Sequence, residues 1–112
     1  MERTAAAEAA DAFASDLRDD PAAACALLAP PTLEKLEEEA GSGCAQALSA
    51  SGVEDPGERL EVTVAGHSAQ ARFAEDTLFL SLFDDGWRVV AAGCERGSEH
   101  LADPYDCDVD GG

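Results

Sequence analysis

Residues 77–94 read TLFLSLFDDGWRVVAAGC, and this stretch decides the fold class. Leu78, Leu80 and Leu82 fall on one face at a period of two, and Phe79, Ser81 and Phe83 fall on the other. A run that is apolar on both sides predicts a central strand covered on both faces. Asp84-Asp85-Gly86 then supplies a turn. Trp87, Val89 and Ala91 share a face of the strand that follows and closes at Cys94.

The same period extends towards the N-terminus. Ala69, Ala71 and Phe73 alternate with Ser68, Gln70 and Arg72, and Leu60, Val62 and Val64 alternate with Glu61 and Thr63. Gly66-His67 between them has the form of a two-residue hairpin loop with glycine first. Consecutive strands joined by short turns predict a four-stranded antiparallel meander over residues 59–94. His67 is expected at a hairpin tip.

Upstream of the loop SGVEDPGE the period changes to that of a helix. Ala6, Ala9, Ala10, Phe13 and Leu17 share a stripe, with Thr4 as the expected cap and Arg18 in the last turn. Asp20-Pro21 starts a second helix, which runs to Pro30-Pro31. Thr32 is expected to start a third, TLEKLEEEA, stopped by Gly41-Ser42-Gly43. CAQALSA is a fourth, shorter piece. Helices first and strands afterwards predict an α+β domain, with residues 4–50 packed on a curved, cone-like sheet. The 112 residues read as one domain, 1–112, in which 95–112 form an irregular acidic tail.

The charge excludes whole classes of function. Twenty-four acidic and seven basic residues give a formal net charge of −17. The basic residues are scattered singly, so the footprint needed to bind nucleic acid is absent. No stretch is apolar for the roughly 20 residues of a membrane span. Neither a glycine-rich phosphate loop nor a G-x-S-x-G elbow occurs, and no cofactor is expected.

Four cysteines, Cys25, Cys44, Cys94 and Cys107, allow three pairings. Cys25–Cys44 and Cys94–Cys107 are favoured, because each joins segments that should lie close. Free buried thiols and a metal site are the alternatives, although no C-x-x-C or zinc-like spacing is present. Two disulfides imply an oxidising compartment. The start, MERTAAAEAADAF, lacks the basic and then apolar run of a signal peptide. The protein is therefore expected outside the cytoplasm, secreted or anchored through a leader that precedes residue 1.

The order of elements, with the closing DDGWRVVAAGC, resembles the nuclear transport factor 2-like superfamily of cone-shaped domains. Together with ACALLAP, TLEKLEEE, GCAQAL and PYDC it is also similar to small secreted or membrane-tethered proteins of actinobacteria. The resemblance covers most of residues 4–107 and implies no dependable activity. Isomerases and polyketide-cyclase-like enzymes of the superfamily place an Asp or His acid/base inside the cone. Here the inner stripes are apolar, so no catalytic residue is carried over.

Two binding surfaces are expected instead. Leu60, Val62, Val64, Phe73, Leu78, Leu80, Leu82 and Trp87 could line an apolar pocket for a small ligand. Phe79, Phe83 and Val90, on the second sheet face, could dock a partner protein or a second copy. A non-enzymatic interaction or ligand-binding module is thus expected, and an isomerase-type enzyme is the alternative. His100 reads as a solvated residue. Asp106, Asp108 and Asp110, before Gly111, copy the opening D-x-D-x-D-G of an EF-hand loop. Gly112 falls at position 7, and the bidentate glutamate required at position 12 is not in the sequence. At most a weak calcium site is expected there.

Overall fold

A computed structural model describes residues 2–53, 56–96 and 105–110, with helices α1 Glu2–Asp19, α2 Pro21–Ala26, α3 Pro30–Ala40 and α4 Cys44–Ala50. Strands β1 Arg59–Ala65, β2 Ser68–Phe73, β3 Thr77–Phe83, β4 Gly86–Arg96 and β5 Tyr105–Asp110 follow. The four predicted strands are present as an antiparallel meander, and β5 extends the sheet in the order β1-β2-β3-β4-β5. The expectation of an irregular segment is corrected over 105–110, and β4 runs on to Arg96.

The helices follow the sequence closely, with three corrections. α1 begins at Glu2, so Thr4 lies inside the first turn and is not its cap. Asp20 caps α2 as expected, accepting from the Ala23 N–H at 3.4 Å. α2 ends at Ala26, however, short of the prolines. Leu27 caps it in the αR region, and the chain from Leu28 then docks on β4: the Val89 N–H donates to the Leu27 carbonyl, and the Ala29 N–H donates to the Val89 carbonyl, both at 2.8 Å. Two causes act together. A residue before proline is pushed out of the α region, and Ala29 has φ −63°, ψ 145°. In addition, β5 pairs with β4 only from Ala91 to Arg96, so the outer edge of β4 at Val89 needs another partner.

Thr32 is the third correction. Ala29 takes the cap position of α3, with Pro30 and Pro31 in the first turn. Thr32 is fully buried, and its hydroxyl donates to the Val90 carbonyl at 3.0 Å. Gly41 closes α3 in the left-handed conformation at φ +67°, which glycine adopts without steric cost.

One core joins the helices to one sheet face. Ala6, Ala10 and Phe13 of α1, Leu36 of α3 and Leu48 of α4 meet Val62, Ala71, Leu78, Leu80 and Val89. Alanines on α1 let it lie close over β1–β4, and Phe13 fills the remaining depth. α4 packs on α2 and α3. The Cys25–Cys44 disulfide fastens it to α2, with S–S 2.05 Å and Cα–Cα 6.1 Å.

Both short hairpin loops match their sequence. Ala65 pairs with Ser68 across Gly66-His67, and Phe83 pairs with Gly86 across Asp84-Asp85. Between β2 and β3, Asp76 acts as a clamp. Its carboxylate accepts from the Thr77 N–H at 2.6 Å and from the Gly93 N–H at 2.9 Å.

Candidate functional site

The predicted pocket residues pack as core. Val62, Phe73, Leu78, Leu80 and Trp87 are buried in the single apolar cluster, and Val64 and Leu82 are half-buried against it. Val62 and Val64 also border a shallow surface depression with Arg3, Glu61 and Thr63. Leu60 is corrected: it is 51% exposed. A register shift between Arg59 and Glu61 marks a bulge at the start of β1, which breaks the alternation at that residue.

Among the described residues, the buried polar side chains are Thr32 and Thr77, neither of them ionisable at physiological pH. The acids between the strands lie at turns: Glu75, Asp84 and Asp85 are exposed, and Asp76 is half-buried. His67 is exposed at its hairpin tip. His100 lies outside the described residues.

Phe79, Phe83 and Val90 are all half-buried. Val90 sits where the β3–β4 register shifts, between the pairs Phe79–Ala91 and Leu80–Val89. Phe83 forms one wall of a notch of about 260 Å³, together with Cys25, Ala26, Leu28, Pro30, Leu33, Asp85 and Arg88. The notch lies where the corner between α2 and α3 meets the tip of the β3–β4 hairpin. Leu28, 3% exposed, is the most deeply buried of these residues. Arg88 spans the gap, donating to the Ala26 carbonyl and to the Asp85 carboxylate. The hydrogen bond from Arg88 holds the Asp85 carboxyl below its ordinary value of 3.8, its charge adding to the effect.

Sequence reasoning selected Phe83 but missed the rest of the notch. The missing information was the chain path at Leu27–Ala29, which brings Ala26 and Leu28 beside the hairpin.

Cys94 and Cys107 are cross-strand partners in the β4–β5 register. Their side chains lie outside the described residues. The side chains of Asp106, Asp108 and Asp110 do so too. Their backbone belongs to β5. An extended strand advancing about 3.3 Å per residue does not wrap around an ion as an EF-hand loop does.

Compared with protein-family models, with curated proteins and with solved structures, the chain matches none.

Proposed function

We propose that this domain is a non-enzymatic interaction module that docks a partner protein at its surface, through the notch between the α2–α3 corner and the β3–β4 hairpin. The observation that carries this reading is the composition of the notch. It combines an apolar floor and walls with a charged bridge, and it is built on residues fixed by strand pairing at Val89 and by the disulfide at Cys25. Docking surfaces are strongest where apolar anchors sit in preformed depressions.

The Cys25–Cys44 bond is consistent with an oxidising compartment. Secretion or membrane tethering, and membership of the nuclear transport factor 2-like superfamily, belong to this proposal. They are supported by the cysteines and by the order of helices before sheet. The isomerase-type alternative needs an ionisable group inside the domain, and the described interior offers Thr32 and Thr77.

A second copy is the competing occupant, since Phe83 is also a residue of the expected dimer face. Sedimentation over a wide concentration range tests this. A monomer at all concentrations is expected, because two chains of net charge −17 repel each other. A dimer that Phe83→Asp dissociates would overturn docking of a different protein.

A further inference from the structure

We infer that the notch takes a basic segment of its partner, seating one aliphatic side chain against Leu28, Leu33 and Phe83 with flanking Lys or Arg side chains facing Asp84 and Asp85. This rests on the docking role proposed above and gives the partner its chemistry.

Size comes first. About 260 Å³ lies below the roughly 300–1,000 Å³ of small-molecule sites, and it suits a single inserted side chain. The walls are preorganised, so little ordering opposes insertion. Leu28 is held on both sides by the bonds between Val89 and its neighbours Leu27 and Ala29, and α2 is held by the disulfide.

Charge then selects the occupant. Arg88 is the cation of the notch, and it is already engaged by Asp85 and by the Ala26 carbonyl. It therefore balances the notch and leaves no preference for an anion. Outside the notch, Arg18 pairs with Asp19, Arg59 with Asp11 and Arg72 with Glu61, which leaves the acidic excess of the chain uncompensated. The Asp85 side chain lines the notch and stays 68% exposed while bonded to Arg88, and Asp84, exposed beside it on the same turn, adds a negative charge that Arg88 does not balance. A field of one sign speeds the approach of opposite charge and repels its own. Nucleic acid, anionic lipid and a second copy of this chain are disfavoured by the same term.

The test uses the full chain, labelled with nitrogen-15, and four synthetic peptides. Three carry a central leucine flanked by lysines, by serines or by glutamates; the fourth is hexalysine. The lysine-flanked leucine peptide is expected to shift the amides of Leu28, Leu33, Phe83 and Arg88. It should bind at least about tenfold tighter than the serine peptide or hexalysine. Its affinity should fall at least about tenfold between about 0.1 M and about 1 M salt, as the screening length drops from about 10 Å to about 3 Å. Ala26→Trp, which fills the notch from an exposed position, should abolish the preference for the leucine peptides. The pair Asp84→Asn and Asp85→Asn lies on an exposed turn and gives an independent reading. It should bring the lysine and serine peptides to equal affinity.

Equal binding of the serine or glutamate peptide at the notch would overturn the basic partner while leaving the docking role standing. Shifts spread over α1 and α3, with hexalysine as effective as the leucine peptide, would overturn the notch as the basic-segment site. No shift at the notch with any peptide would overturn both.

Discussion

Thr32 carries more of the fold than its position suggests. Its hydroxyl is fully buried and satisfies the Val90 carbonyl, next to the point where β4 departs from regular pairing with β3. Thr32→Val keeps the volume but leaves that acceptor unpaired, which costs about 1–3 kcal/mol. Chemical denaturation should show that loss, and Thr32→Ser should retain part of the bond. Asp85 gives a pH prediction. Its folded value is depressed, chiefly by the hydrogen bond from Arg88. The stability from this pair is therefore fully present above the unfolded carboxyl value, about 3.9, and is lost as pH falls through the lower folded value. A carbon-13 titration of the Asp85 carboxyl should find it low in the native chain and ordinary in Arg88→Met. An unchanged titration in that variant would remove Arg88 as the cause. At this scale the sequence was legible wherever a residue acts on its neighbours. Asp20 as a cap and Gly66 in a hairpin loop are local chemistry. Thr32 and Leu60 were misplaced because a distant carbonyl and a bulge decide them.

Among the elements, α4 depends most on its fastening. It is seven residues long, too short to persist alone, and it packs on α2 and α3. The disulfide closes a separation of 19 residues, for which the chain-entropy account gives about 3 kcal/mol. Replacing Cys25 and Cys44 together by serine should lower stability by about that amount. Hydrogen exchange should then rise first in α4 and α2, ahead of β2 and β3. Uniform loss of protection across the chain would contradict this picture of α4 as the weakest-held element. The strands show why part of the fold was unreadable. β1–β4 carry their period openly, whereas β5 reads YDCDVD, in which aspartate is a poor strand former. β5 pairs with β4 from Ala91 to Arg96, and that tertiary pairing prevails over local propensity. The early end of α2 has the same origin on the opposite half of that edge, where Leu28 bridges Val89.

At the scale of the whole molecule, a packed interior is set against a surface that carries the notch. Helices before strands, and the single core between them, were legible because period and turn chemistry agree along the chain. The candidate site was not, since the notch is assembled from α2, the segment after it, α3 and a hairpin tip. Of the expected pocket residues, Val62, Phe73, Leu78, Leu80 and Trp87 are core, with Leu78 and Leu80 at most 1% exposed. Xenon binding followed by methyl NMR tells a filled interior from a hollow one, because xenon enters apolar cavities that are large enough and empty. A filled interior gives no xenon-dependent shifts at the methyls of Leu78, Leu80 or Val62. Shifts at those three interior residues would reveal an enclosed ligand cavity and would contradict a domain that works through its surface.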